Sequence, residues 1–178
     1  MTKGKAQDSS DNLTPEIIAG IPDSETEDVI WERILSKLQD LFSDTAQLLK
    51  AAAQWSPGLQ MMFFTTVLDG EVGNGGFNQF FFNSPWEYTE RALEGLKLIG
   101  ASQHAQVLRR AMDIYLEEKG DSNLQALYAG DMEEFMESYK VSRLVECDPS
   151  WYGPGMEEKF SQLRIRFIRD HTDQFIGI

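Results

Sequence analysis

The chain carries the stretch EVGNGGFNQFFFNS at residues 71–84, and this stretch decides how its helices are joined. Gly73, Gly75 and Gly76 permit positive backbone φ and the close approach of neighbouring chain. Asn74 also tolerates the left-handed region. An aromatic run follows from Phe77 to Phe82. We therefore predict a tight corner between two helices, with a glycine-rich break from Gly70 to Gly76.

Backbone groups at such a corner need hydrogen-bond partners, because the ends of helices leave donors and acceptors unpaired. Amide side chains offer both kinds of group, and the stretch supplies Asn74, Asn78, Gln79 and Asn83 for this purpose. A phosphate cradle is the alternative interpretation of the glycines. The stretch lacks Lys and Arg, the Walker pattern and a preceding strand with G-x-G-x-x-G, so a structural corner is favoured.

Capping chemistry on either side of the corner predicts further helices. Ser84, Pro85 and Glu87 have the spacing of a helix start, and this helix should stop at Gly100. Ser102 should cap the next helix, which should stop at Gly120. Other starts are predicted at Ser24 with Glu27, at Asp44 with Gln47, at Ser56 before Pro57, at Asp131 with Glu134, and near Met156.

These signals predict an all-α fold, a compact single-domain bundle of about seven to nine helices, because no segment alternates with a period of two. In the helix opened by Asp131, we expect Phe135, Met136 and Tyr139 to face the core. Residues 1–24 are polar and predict a flexible acidic N-terminal tail with one turn near Glu16 to Ala19. Helical order should begin near Thr26, and residues 25–178 should form the all-helical domain.

The net charge is −13 over 178 residues, and it is unevenly placed. Residues 113–158 carry twelve acidic and three basic side chains, whereas residues 31–112 are nearly balanced. A field of this sign repels phosphate backbones and anionic membranes and attracts basic surfaces. Nucleic acid and membrane are therefore excluded as direct ligands, and a basic or DNA-binding protein is the expected partner.

Carboxylates three or four residues apart on a helix lie about 5–6 Å apart on one face, so they could imitate a row of phosphates. The simpler interpretation is that several of them complement a helix N-terminus or keep the protein soluble. Glu157 and Glu158 extend the acidic cluster. The candidate partner-binding residues are Asp113, Glu117, Glu118, Asp121, Asp131, Glu133, Glu134, Glu137, Glu146 and Asp148.

Enzyme interpretations find little support in the sequence. His104 and His171 have no Ser or Cys in a nucleophile motif and no Glu three positions before them, as a di-iron bundle would require. Cys147 lies between Glu146 and Asp148, so its thiol pKa should be raised and its reactivity low. We expect no catalytic residues, no cofactor and no metal site. Without a secretory or membrane-spanning apolar segment, a cytoplasmic location is expected.

The segment from Asn74 to Ser84 reads N-G-G-F-x-Q-F-F-x-N-S and resembles the signature of a bacterial family of DNA-mimic-protein-like domains of otherwise unknown function. Further similarity extends the resemblance to roughly residues 28–176. It implies an all-helical domain and, for the DNA-mimic member, a homodimer whose acidic surface occupies the DNA-binding face of a transcription factor. The residues of the structural motif are Asn74, Gly75, Gly76, Phe77, Gln79, Phe80 and Asn83.

Two functions remain open from the sequence, and both use an acidic face. The first is DNA mimicry, which predicts carboxylates in two rows on a convex dimer surface. The second is an immunity-type or scaffolding module that binds a protein without mimicry, which predicts a concave or apolar patch rimmed by acid. The four tryptophans, Trp31, Trp55, Trp86 and Trp151, are the first candidates for such a patch.

Overall fold

Helices make up nearly all of the regular structure in the computed structural model, which describes residues 12–41, 44–122, 124, 128, 131–156 and 159–177. No strand occurs within these ranges, so the prediction of an all-α fold is confirmed. No helix among the described residues is both long and apolar enough to cross a membrane. The α-helices are α1 (Pro15–Gly20), α2 (Asp23–Leu38), α3 (Thr45–Ala52), α4 (Pro57–Asn83), α5 (Trp86–Leu98), α6 (Ser102–Gly120), α7 (Met132–Val141), α8 (Asp148–Tyr152) and α9 (Phe160–Asp170). Two short 3-10 helices, Arg143–Glu146 and Thr172–Phe175, follow α7 and α9.

Helix α4 is the centre of the core. Its first half buries Met61, Met62, Phe63 and Phe64, and the first two turns after its kink bury further phenylalanines. Helix α5 packs closely against it, because Gly95 brings its backbone to the α4 backbone at Met61. A helix that is apolar nearly all round is one surrounded by others, and α2, α5, α7, α8 and α9 all contact α4.

The glycine-rich stretch does form a corner, but the corner is shorter than predicted. Helical geometry continues through residues 70–74 and is interrupted only at Gly75 (φ −152°) and Gly76 (φ 70°). Leu68 and Val72 are buried on either side of Gly70, and their packing outweighs the roughly 1 kcal/mol that each glycine costs a helix. The predicted break from Gly70 to Gly76 is therefore wrong in its extent and correct in its location.

Distant residues, rather than the local amides, satisfy the backbone at the kink. The Phe77 N–H donates to Asp148 Oδ1 at 2.9 Å, and the Tyr139 hydroxyl donates to the Gly75 carbonyl at 2.7 Å. The amides predicted for this role bind side chains instead. Asn78 donates to Ser138 at 2.8 Å, Gln79 and Asn83 donate to Glu71 at 2.7 and 2.8 Å, and Asn74 donates to Gln79 at 3.2 Å.

Three predicted caps are confirmed and three are wrong. Asp44, Ser56 and Asp131 each accept a hydrogen bond from the first turn of their helix. Ser84 and Ser102 do not serve as N-caps, because α5 and α6 begin after Pro85 and Ala101. Ser24 lies inside α2, which starts after Pro22. The α5 stop is correct: Gly100 adopts φ 74°, and the Ala101 N–H returns to the Leu96 carbonyl at 2.9 Å.

Helical order begins before Thr26, contrary to the prediction. Thr14 caps α1 through the Ile17 N–H, and Leu13 and Ile18 are buried in the common core. The turn predicted near Glu16 to Ala19 is thus a packed helix. Residues 1–11, which make up the rest of the predicted tail, lie outside the described residues.

A buried charge network joins the N-terminal, central and C-terminal helices. Arg164 of α9 is 5% exposed and lies between Glu27 of α2, at 3.0 Å, and Asp69 of α4, at 3.3 Å. Its guanidinium also donates to the Thr65 carbonyl and stacks 3.9 Å from the centre of the Phe160 ring. A buried cation needs such partners, so this network specifies how α9 is seated.

Candidate protein-interaction surface

The C-terminal half of α6 carries the first predicted carboxylates. Asp113 and Glu117 are exposed and four residues apart, so they lie on one face of the helix. Glu118 was predicted to join them, but it is only 4% exposed. Its carboxylate accepts from Ser142 Oγ at 2.8 Å, from the Arg143 N–H at 2.6 Å and from the Tyr128 hydroxyl. Glu118 therefore fastens α6 to the end of α7 and is not part of the exposed surface.

The Tyr128 hydroxyl donates a hydrogen bond to the buried Glu118 carboxylate. Burial, followed by the hydrogen bond to Glu118, raises the pKa of Tyr128 well above its ordinary value. Its ring packs edge-on against Tyr115 at 5.1 Å. A neutral phenol that donates to Glu118 is the arrangement that removes the penalty of an unpaired buried charge.

Helix α7 and its N-cap residue carry four more predicted carboxylates, and two of them have a structural role. Asp131 accepts from the N–H groups of Glu133 and Glu134, and Glu134 accepts in return from the Asp131 N–H at 3.2 Å. This is a complete capping box. Glu133 and Glu137 are exposed and four residues apart, so they form a row along the outer side of α7.

Basic residues partly neutralise the exposed carboxylates. Arg143 contacts Glu117 at 2.7 Å, Arg110 contacts Glu146 at 2.9 Å, and Lys140 contacts Glu137 at 2.5 Å. The hydrogen bond and charge of Glu117 raise the pKa of Arg143. Such exposed pairs contribute little to stability, so a basic partner could replace the internal cation at little cost.

Asp148 also falls outside the surface for which it was predicted. It is half-buried beneath the α4 kink and accepts the Phe77 N–H. Burial raises the pKa of this carboxyl group, and the hydrogen bond from Phe77 opposes that rise. Asp148 is thus a cap for the second half of α4.

Eight of the ten predicted residues are exposed, and together they are called the acidic surface below: Asp113, Glu117, Asp121, Asp131, Glu133, Glu134, Glu137 and Glu146. Glu117 pairs with Arg143 and Glu146 pairs with Arg110, whereas Glu133, Glu134 and Glu137 follow α7. Glu157 and Glu158 lie outside the described residues.

Residues considered for catalysis are occupied in packing. His104 is 2% exposed, stacks on Phe160 at 4.7 Å and packs edge-on against Trp151 at 4.6 Å. Cys147 is buried, and burial raises the pKa of its thiol, as predicted. Burial outweighs the neighbouring carboxylates, which the sequence had suggested as the cause. His171 Nδ1 lies 3.0 Å from the Phe167 carbonyl.

One cleft of about 460 Å³ lies beside Asp69, His104 and Tyr152. The Asp69 carboxylate beside this cleft already has partners. It accepts hydrogen bonds from Trp151 Nε1 at 3.1 Å and from the Tyr152 hydroxyl at 2.8 Å, and it also contacts Arg164. Burial and the nearby Asp69 charge raise the pKa of Tyr152. These contacts hold α4, α8 and α9 together. Among the described residues, no group of three or more His, Cys, Asp or Glu could hold a metal ion.

The exposed apolar side chains are not the tryptophans named from the sequence. Trp151 is fully buried, and Trp31, Trp55 and Trp86 pack against the core. Met132 and Met136 of α7 are instead 63% and 56% exposed. Met136 was predicted to face inward, but Ser138 takes the third inward position beside Phe135 and Tyr139. At 3.6 residues per turn, Ser138 lies nearer than Met136 to the side of the helix on which Phe135 is buried.

Comparison with known proteins identifies a family. The sequence model of a family described as DMP19-like protein matches residues 53–171, more than half of the chain. This range contains the kink, helices α5 to α9 and all ten predicted carboxylates. No curated protein and no solved structure gives a significant match.

Proposed function

The chain belongs to the DMP19-like protein family, and we propose that it is a non-enzymatic, acidic protein that binds a basic, DNA-binding protein in place of DNA. The observation that carries this proposal is the position of the acidic surface inside the matched region. Its carboxylates lie on helices or at their caps, so the ordering cost of binding is small. The proposed location is the cytoplasm, where such partners occur.

The mechanism is electrostatic. A basic partner is drawn toward the negative field before contact, and its Lys and Arg side chains then exchange solvent for carboxylate oxygens. Three ion pairs of the acidic surface are internal and exposed, so each can be exchanged for a pair with the partner. The expected association is fast at low salt and weakens steeply as salt is added.

A pull-down from cell lysate at low salt and at 0.5 M salt tests the proposal. The expected result is a DNA-binding protein that is retained at low salt, is released at high salt and is displaced by duplex DNA. Retention of a partner that duplex DNA does not displace would contradict mimicry. Recovery of no basic partner at low salt would contradict the proposal as a whole.

Charge reversal locates the surface. The triple variant Glu133→Lys, Glu134→Lys and Glu137→Lys should abolish capture, whereas Glu87→Lys, Glu90→Lys and Glu94→Lys on α5 should retain it. Both variants change the net charge by the same amount and alter only exposed residues. Equal loss in the two variants would show that net charge, and not the acidic surface, governs binding. Circular dichroism of each variant monitors folding.

A second function, protein binding without DNA mimicry, is favoured by one specific observation. The exposed Met132 and Met136 form an apolar element beside carboxylates, whereas phosphate mimicry requires only charge. An immunity-type or scaffolding module would use both. The duplex DNA displacement above distinguishes the two functions. Formation of a homodimer, which the family resemblance implies, is measured by sedimentation of the purified chain.

A further inference from the structure

Helix α7 presents two different rows of side chains to solvent. Met132 and Met136 are four residues apart, as are Glu133 and Glu137, and residues at this spacing are neighbours on a helix surface. An apolar row therefore runs beside an acidic row, offset by one residue. These four residues are called the Met–Glu face.

The opposite side of α7 fixes the orientation of this face. Phe135 stacks on Phe82 with ring centres 4.3 Å apart, and Ser138 accepts a hydrogen bond from Asn78 at 2.8 Å. Tyr139 donates to the Gly75 carbonyl in the α4 kink. The Asp131 capping box completes the first turn. Because α7 is held on its inner side and capped, the methionines are presented on a preformed helix.

Methionine is well suited to such a surface. Its unbranched, polarisable side chain adapts to different apolar partners, and exposed methionines are over-used at binding surfaces for this reason. Isolated exposed apolar residues are ordinary in any protein. The informative feature here is that the exposed apolar pair lies in register with a carboxylate pair on one helix.

We propose that the Met–Glu face binds an amphipathic basic helix of the partner. This inference rests on the proposed function, namely that the partner is a basic protein, and it adds which features of the partner are recognised. A partner helix with an apolar row beside a Lys or Arg row has the same repeat, so its apolar side chains meet Met132 and Met136 while its cations meet Glu133 and Glu137. A second copy of this chain is a poor occupant, because it would bring carboxylates against carboxylates.

The consequence is that binding has two separable parts. Attraction to Glu133 and Glu137 is screened by salt. Burial of the methionines is a hydrophobic contribution, which salt does not screen. Mimicry by charge alone would show only the first part.

A synthetic fluorescein-labelled helical peptide of Leu and Lys, with the two residue types on separate faces, serves as the probe. Its control has the same composition in an order that mixes the faces. Anisotropy is measured with the full chain at 0.05 and 0.5 M NaCl. We expect tighter binding of the segregated peptide at both salt concentrations. Equal binding of the two peptides, or no binding of either, would overturn the inference.

Variants assign the contribution of each row. Met132→Ala with Met136→Ala should weaken binding about tenfold at both salt concentrations, because centrally placed apolar contacts carry much of the binding energy. Leu98→Ala with Ile176→Ala, which removes exposed apolar side chains elsewhere, should have no effect. Glu133→Gln with Glu137→Gln should weaken binding chiefly at low salt. If only the glutamate variant loses affinity, the proposed function stands and the Met–Glu face is overturned.

Methyl NMR of ¹³C-methionine locates the contact directly. Resonances of Met132 and Met136, assigned through the alanine variants, should shift on addition of the segregated peptide. Those of the buried Met61 and Met62 should not. Unshifted Met132 and Met136 resonances at saturation would overturn the inference. So would sedimentation showing that these two substitutions dissociate a dimer of the chain, since a second copy would then cover the face.

Discussion

At the scale of single residues, the kink in α4 depends on one glycine more than on its neighbours. Gly76 has φ 70°, a region in which a side chain is strained, whereas Gly75 at φ −152° has a negative φ that other residues also adopt. A β-carbon at Gly76 would also lie 2.7 Å from Asp148 Cγ, and one at Gly75 would lie 2.8 Å from the Tyr139 hydroxyl. A side chain would therefore clash with neighbouring atoms at both positions. At Gly76 alone, the positive φ would strain it as well.

Substitution of Gly76 should therefore be severe. Gly76→Ala is expected to lower the free energy of unfolding by about 1–3 kcal/mol from backbone strain alone, with a further loss from the displaced Asp148 cap. Gly70→Ala is the matched control, because Gly70 is exposed and helical, and a β-carbon added there would meet no neighbouring atom within 4 Å. It should be neutral or stabilising by up to about 1 kcal/mol. Urea denaturation measures the free energy of unfolding of both variants. Equal stability of the two would contradict the role of Gly76.

The contribution of Asp148 to stability should change with pH in the opposite direction to that of most salt-bridged carboxylates. Its folded-state pKa is raised by burial, so the folded protein binds a proton more tightly than the unfolded chain. Its contribution to stability is then largest below the ordinary Asp pKa and declines as pH rises through the raised folded-state pKa.

The variant Asp148→Asn retains an oxygen that can accept the Phe77 N–H but has no charge to bury. We expect its stability relative to the natural chain to improve as pH increases from about 3 to 7. Urea titrations at several pH values give this difference directly. A difference that stays constant, or that changes in the other direction, would show that burial does not dominate the titration of Asp148.

At the scale of elements, the packing of α1 is determined by α9. The Arg169 guanidinium donates to the carbonyls of Ile18 and Ile21, and it contacts Asp23 at 2.8 Å and Thr26 Oγ1 at 2.9 Å. One side chain thereby holds the end of α1, the turn after it and the start of α2. This contact explains why order begins earlier than the polar composition of residues 1–24 suggests.

Removal of this side chain should loosen α1 selectively. Arg169→Ala is expected to increase amide hydrogen exchange in α1 and in the first turn of α2 by about tenfold or more, because several hydrogen bonds to a charged group are lost together. Arg166→Ala, an exposed arginine on the same helix, should leave these rates unchanged. Uniform acceleration over the whole chain would indicate global destabilisation instead.

At the scale of the whole molecule, the net charge of −13 acts on stability as well as on binding. Like charges repel more strongly in the compact state than in the unfolded chain. The three ion pairs of the acidic surface are exposed and contribute little to stability. Added salt should therefore weaken the repulsion between like charges more than it weakens the attraction within ion pairs.

The melting temperature should therefore rise by a few degrees when NaCl is increased from 0.02 to 0.5 M, as measured by calorimetry. The variant Glu133→Gln with Glu134→Gln should show a smaller rise, because it carries less charge to screen. A melting temperature that falls with salt would mean that ion pairs outweigh repulsion in this protein.

Much of this protein was determined by local sequence. The caps at Asp44, Ser56 and Asp131, the stop at Gly100 and the corner at residues 75–76 were all predictable, because each depends on side chains within a few residues. The all-α class and the uneven charge were equally accessible. Exposure of most carboxylates also follows from the high cost of burying a charge.

Only the tertiary structure decided which polar residues left the surface. Glu118 and Arg164 are buried and Asp148 is half-buried, against partners 10 to 137 positions away in sequence, and no local pattern encodes such pairings. The same applies to Met132 and Met136, whose exposure depends on Phe135, Ser138 and Tyr139 finding contacts on α4. Periodicity marks the sides of a helix, but long-range packing selects the side that remains open to a partner.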